Sequence, residues 1–283
     1  MNASSAAMPS GPPGSATTIG GWFPLTRFGL AVIRAKTEGV LETLGLSVDY
    51  GGQVLRFLLA GKLSRTRLLQ QASVVGVDSL GIALVLTTFS GMVIALEMAK
   101  EMAKQGAGNF VGALVALSIV RELAPIMTGF AVIALAGSAF AAELSTMKIT
   151  NQVDALRVLH VHPVRYLMLP RVMAGMLCLP LMTVITAICG IAGGMLISHY
   201  LAEIPTEMYL DSAWQILAMK DVGSCLTKSA VFGFLIALIS CTIGIETTGG
   251  AREVGIATTR AVVWSFIAMT IADYILTYLF YAT

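Results

Sequence analysis

Apolar residues gather in five long runs, roughly 73–99, 109–142, 166–200, 226–245 and 261–282, each nearly free of charge. About 20 apolar residues at 1.5 Å rise are enough to cross the hydrocarbon of a bilayer. The pattern therefore predicts five transmembrane helices. Their interruptions are few: Asp78 and Glu97 near the ends of the first run, the doublet Arg121-Glu122 and Pro125 in the second, Pro170, Arg171 and Pro180 in the third, and Asp273 in the fifth. The second and third runs exceed one crossing, so they are expected to tilt, to kink at Pro125 or Pro180, or to project beyond the membrane.

The first seventy residues carry a different pattern. Residues 1–20 are rich in Ser, Ala, Gly and Pro without a basic residue. A secretory leader would place a basic region directly before an apolar one, so this stretch is expected to be a disordered tail. Residues 21–70 mix Trp22, Phe23, Phe28 and Ile33 with Arg27, Arg34 and Lys36, and later Leu55, Leu58 and Leu59 with Arg56, Lys62, Arg65 and Arg67. No uncharged stretch here is long enough to cross. Amphipathic helices at the membrane surface are expected, with a small soluble cap as the alternative. Residues 71–283 then form the five-span domain of an all-α membrane protein.

Composition agrees: 56% of residues are hydrophobic and 12% charged, with mean hydropathy +0.82, against about 25% charged in soluble domains. A net charge of +2 without a basic patch gives no case for nucleic acid. The four cysteines sit in or beside apolar segments without CxxC spacing, as small packing residues would. His160 and His162 lack a third ligand at suitable spacing, so no metal is expected. The run GSCLTKSA (223–230) lacks the glycine directly before its lysine that a phosphate loop needs. ATP, if it drives this protein, is bound by a partner, and no cofactor is expected on this chain.

Lys and Arg placement gives the orientation. The N-terminal region holds seven, residues 143–171 hold four and 246–260 hold two, while the alternate loops hold only Lys100, Lys104, Lys220 and Lys228. The N-terminus and the 141–163 connection are thus expected in the cytoplasm and the C-terminus outside. An odd number of spans excludes two complete inverted halves in one chain, so a symmetric pathway requires a homodimer.

Arg121-Glu122 is the most informative candidate. Each ionised side chain at hydrocarbon depth costs at least about 2.5 kcal/mol, and neighbours on a helix point about 100° apart. Two roles compete: an interhelical salt bridge, or a polar surface facing a substrate. For Glu97 the alternatives are simple solvation or a place at a cavity mouth. Asp273, flanked by Thr270 and Thr277, is expected to bond locally or to another helix. Ile94, Met98 and Met102 form a flexible apolar stripe at i+4 spacing. In 141–163, Leu144, Met147, Val153 and Leu156 are set at helical spacing among Glu143, Lys148, Asp154 and Arg157. This predicts a short amphipathic helix between the second and third spans that can dock a motor subunit. Gly190 and Gly194 form a GxxxG pattern that permits close helix packing.

The segments FSGMVIALE (89–97), LVALSIVRELAPIMTG (114–129), GSAFAAELSTMKITNQVDAL (137–156), HPVRYLMLPRVMAG (162–175), LPLMT (179–183), KSAVFG (228–233) and VGIATTRAVV (254–263) resemble the MlaE permease family of MCE-associated lipid transporters. The resemblance covers nearly everything from residue 70 onward. It implies a homodimeric, non-enzymatic permease paired with a cytoplasmic ABC ATPase, with an MCE-domain protein across the membrane and in some systems a STAS-domain protein. The implied cargo is phospholipid or a related lipid at the dimer interface. By position, Ile94, Glu97, Met98, Met102, Arg121 and Glu122 match the lipid-binding residues. Glu143, Leu144, Met147, Lys148, Gln152, Asp154 and Leu156 match the helix that engages the ATPase. Two departures bear on headgroup recognition: Glu97 stands where many members have Gln, and Leu135 where many have Arg.

The first 26 residues hold no basic residue, which disfavours an Arg-rich transit peptide, so a bacterial inner membrane is the expected location, ahead of a plastid inner envelope. Competing readings are a secondary transporter or channel relaying ions through Arg121, Glu122 and Asp273, and an intramembrane enzyme, for which Ser138 and His199 supply no nucleophile–base pair.

Overall fold

The computed structural model describes residues 45–58 and 65–282. The expected tail (1–20), residues 21–44 and residues 59–64 lie outside the described residues. Helices α1 (45–58), α2 (Arg65–Lys104), α3 (Gly108–Ile149), α4 (Gln152–Val158), α5 (Val164–Ala202), α6 (Thr206–Ile216), α7 (Met219–Ile245) and α8 (Ala251–Tyr281) follow one another, with no strand among the described residues. Five of them, α2, α3, α5, α7 and α8, are long and apolar enough to cross a membrane. Each extends past its uncharged run, because charged residues are accommodated in the terminal turns and, for α7, deep inside.

α2 and α5 pack along each other, and α5 continues onto α7. Both contacts depend on glycine. A Cβ at Gly91 of α2 would lie 2.3 Å from the carbonyl oxygen of Gly190 in α5. A Cβ at Gly233 of α7 would lie 2.2 Å from that of Gly175 in α5. The backbones therefore touch, as small residues allow in membrane helices. The expected close approach at Gly190 and Gly194 is present: Gly190 meets α2, and a Cβ at Gly194 would lie 2.8 Å from the Tyr209 hydroxyl of α6. Tyr209 is buried, and that burial pushes its phenol pKa up.

α3 is not a uniform helix. It widens into π-turns at Ile119–Leu123 and Ile133–Gly137, a feature frequent at functional sites. The first ends two residues before Pro125, which has no N–H to offer the Arg121 carbonyl four residues back. Leu135 lies in the second.

α1 packs through Tyr50, Val54, Phe57 and Leu58. Of the apolar stripe expected at Leu55, Leu58 and Leu59, Leu58 packs on the core, Leu55 is exposed with Val54 buried in its stead, and Leu59 lies outside the described residues. The Tyr50 hydroxyl donates to Glu246, just past α7. Burial first, and this bond second, push the Tyr50 phenol up to about 12.

The amphipathic segment of 141–163 also differs from expectation. Glu143–Ile149 continues α3, because Phe140 and Leu144 stay packed in the core beside α7. The separate helix starts only after Asn151, which adopts the left-handed conformation at φ 60°.

Candidate functional site

Three helices bring ionised side chains together where α7 begins and α8 ends. Arg121 Nε of α3 donates to Asp221 Oδ1 of α7 at 2.7 Å, and the Tyr281 hydroxyl of α8 donates to the same oxygen at 3.0 Å. The guanidinium stacks 4.4 Å from the Tyr281 ring. Asp221 also receives the Ala218 N–H at 3.0 Å, fixing the first turn of α7. Two turns further along α7, Lys228 Nζ donates to Glu122 Oε2 at 2.7 Å and to the Arg121 carbonyl at 2.9 Å, and pairs with Asp273 Oδ1 of α8 at 3.1 Å. Thr277 donates to Glu122 Oε1 at 3.1 Å.

The local sequence explains this convergence. Asp221 and Lys228 are seven residues apart on α7, and Asp273, Thr277 and Tyr281 follow at i, i+4, i+8 on α8, so each set shares a face. The π-turn re-aims Arg121 and Glu122, and Pro125 leaves the Arg121 carbonyl without its helical donor, a place the Lys228 ammonium takes. The counter-ions are buried behind the doublet: Lys228 and Asp221 are 0% and 1% exposed, while Arg121 and Glu122 each keep 36%. Two cations face three carboxylates.

Both members of the doublet are therefore held in interhelical ion pairs within one chain, the first of the two roles open at the sequence level. A partial outward face remains on each. Hydropathy sets Lys228 among the loop charges and gives Asp221 no distinction from its polar neighbours, so neither stands out as a site residue in the sequence. The seven-residue spacing and the KSAVFG run were the available signals. Removing Lys228 from the loop tally leaves the charge bias in the same direction. Asp273, for which a local bond and a bond to another helix were both open, reaches α7.

The remaining candidates divide. Ile94, Met98 and Met102 are half-buried and pack on a cluster that includes Val111, Val115 and Ile119 of α3, with Ile191 and Met195 of α5 alongside. The doublet instead reaches α7 and α8. Within a single chain the stripe and the doublet thus face different neighbours. Glu97 is exposed on α2.

At the opposite end of the bundle, Glu143 Oε2 accepts from Arg171 Nη2 at 2.6 Å, and Arg171 Nη1 donates to the Leu167 carbonyl at 2.8 Å. The Arg171 side chain is 4% exposed, so Glu143 tethers α3 to α5. Leu144 is fully buried and Met147 half-buried against the core, so Leu144 supports this end from inside rather than touching a partner. Lys148 and Arg157 both pair with Asp154, at 3.1 Å in each case. Leu156 is half-buried, while Gln152, Val158 and Leu159 are exposed. The outward surface is therefore centred on α4 and its C-terminus. Among the described residues no cluster of three or more metal-ligating side chains occurs.

Five helices long and apolar enough to cross a membrane, three of them joined by an ionic layer, define a multi-pass membrane protein. Residues 68–279 match the family described as Permease MlaE. A probable ABC transporter permease protein of Synechocystis is 43% identical over 230 residues, covering 81% of this chain and 88% of that protein. Protein trigalactosyldiacylglycerol 1, chloroplastic, of Arabidopsis thaliana is 42% identical over 238 residues, covering 84% and 68%. A probable ABC transporter permease protein of Rickettsia prowazekii is 40% identical over 240 residues, covering 85% and 93%. The chain belongs to the MlaE permease family and is a membrane permease subunit.

Proposed function

We propose that this permease moves a phospholipid or related lipid, working as a homodimer driven by a separate cytoplasmic ABC ATPase. The observation that carries this reading is the ionic layer of Arg121, Glu122, Asp221, Lys228 and Asp273: its counter-ions are buried and its doublet is left 36% exposed. A lipid with a charged head needs polar groups at one level of an otherwise apolar path. A partly open Arg–Glu pair can exchange an internal partner for a phosphate or an amine by charge-assisted hydrogen bonds. Ile94, Met98 and Met102 supply flexible apolar surface for acyl chains, with Glu97 beside them on α2. Two copies are needed to bring the stripe of one and the doublet of the other to a common path. The name of the Arabidopsis relative contains that of a glycolipid, in keeping with a lipid cargo.

The motor side of this proposal is the α4 end, where Gln152, Val158 and Leu159 face outward over Lys148, Asp154 and Arg157. An MCE-domain protein on the far side, and a STAS-domain protein beside the ATPase, complete the proposed assembly. The proposed location is a bacterial inner membrane with the N-terminus in the cytoplasm.

The test is ATP-driven lipid transfer in proteoliposomes holding the permease with its ATPase. Changing Arg121→Gln together with Asp221→Asn removes the ion pair without orphaning a buried charge. Transfer is expected to fall by about tenfold or more while the protein stays dimeric and inserted. Undiminished transfer removes the ionic layer from the lipid path, and equal transfer without any ATPase favours a secondary transporter.

A further inference from the structure

A pocket of about 480 Å³ opens at the α4 end, away from the ionic layer. Its polar lining comes from Tyr50 and Gln53 of α1 and from Arg157, His160 and His162 after α4, over an apolar floor that includes Ile245 of α7. We propose that this pocket binds the phosphate group of an anionic ligand.

Three observations support it. The guanidinium of Arg157, two imidazoles and a side-chain amide converge on one concavity, a donor set suited to a phosphate. Asp154 draws on only one nitrogen of Arg157 and is also paired with Lys148, so it does not absorb the whole guanidinium. The backbone positions one of the two imidazoles. Val161 N–H closes on the Leu156 carbonyl at 2.9 Å and His160 N–H on that of Arg157 at 3.0 Å, a Schellman-type helix end. The residue in the left-handed position of that motif is His160, at φ 56°. Glycine is the residue that position favours. A histidine kept there delivers its ring to the pocket rim, where the edge-on contact of His162 with Phe57 of α1, at 5.1 Å between centroids, sets the second ring. Because the walls belong to α1, α7 and the 158–163 turn, an anion bound here ties α1 to the turn that follows α4.

The phosphate has two possible sources, a membrane lipid headgroup or free phosphate. The experiment is calorimetric titration of the full-length permease in detergent with inorganic phosphate, with dihexanoyl phosphatidic acid and with uncharged dihexanoylglycerol. Saturable binding of inorganic phosphate assigns a free anion; binding of phosphatidic acid without inorganic phosphate assigns a lipid headgroup. In either case His160→Gly, which suits the left-handed backbone and so keeps or raises the melting temperature, weakens binding at least about tenfold, as does Arg157→Gln. Binding of neither phosphate compound, equal binding of dihexanoylglycerol, or unchanged affinity in Arg157→Gln and a folded His160→Gly overturns the proposal.

Discussion

Replacing Lys228 by Met would strip Glu122 of its 2.7 Å partner, Asp273 of its 3.1 Å partner and the Arg121 carbonyl of its donor, all inside the bundle. Breaking a buried pair on one side costs about 3–5 kcal/mol, because the remaining charge is stranded. Lys228→Met is therefore expected to lower the melting temperature in detergent sharply. Adding Glu122→Gln and Asp273→Asn, which removes the stranded charges, should recover most of the loss. A triple variant as unstable as the single one would show that shape, and not charge, matters at Lys228. Arg121→Lys is also expected to weaken the layer, since an ammonium cannot both bond Asp221 and stack on Tyr281. At Tyr50 the sign follows from a phenol raised from about 10 to about 12 by burial and by its bond to Glu246. The proton is held more tightly in the folded state, so this contribution is full below about pH 10 and fades as pH rises through about 12. The stability gap between parent and Tyr50→Phe, followed by denaturation across alkaline pH, should shrink over that range.

Among the helices, α3 shows both what its sequence revealed and what it concealed. Its doublet and Pro125 marked a charge-bearing helix that tilts, kinks or projects beyond the membrane, and what the structure has beside them is a π-turn. The partners of the doublet were hidden because Asp221 and Lys228 fall at the polar start of α7, where a charge count cannot separate a loop lysine from a buried one. Only tertiary packing distinguishes them. The α4 end was misjudged for a related reason: periodicity places Leu144, Met147 and Leu156 on one stripe, yet the left-handed Asn151 divides that stripe between two helices. The two parts should respond differently to mutation. Leu144→Ala opens a cavity in the core and is expected to destabilise by about 2–5 kcal/mol, whereas Leu159→Asp, on an exposed side chain, should leave melting unchanged while releasing the ATPase in a pull-down. If Leu159→Asp retains the ATPase, the docking surface lies elsewhere.

Across the whole molecule, five crossings were legible because hydrocarbon tolerates so few charges. The helix ends were not, since terminal turns of α2, α5 and α7 carry charge into the interface. The α5–α7 crossing fixes much of the bundle, and its signal, Gly175 and Gly233, is invisible to hydropathy. Gly233→Leu would place a side chain against backbone 2.2 Å away and is expected to prevent assembly, read as loss of a monodisperse peak in size exclusion. Serine there, though smaller, should still be impaired, because the Cβ itself already clashes.

Pro125 gives the bundle an interlock rather than a mere bend. An imino acid that withholds one proton leaves an oxygen on α3 unclaimed by its own helix, and a cation from a helix roughly a hundred residues later settles on it. Restoring that proton with Pro125→Ala would set two donors competing for one oxygen, so the mutant should gain local helicity yet let α7 slide more readily against α3. A substitution that straightens one segment would thus slacken the joint between two.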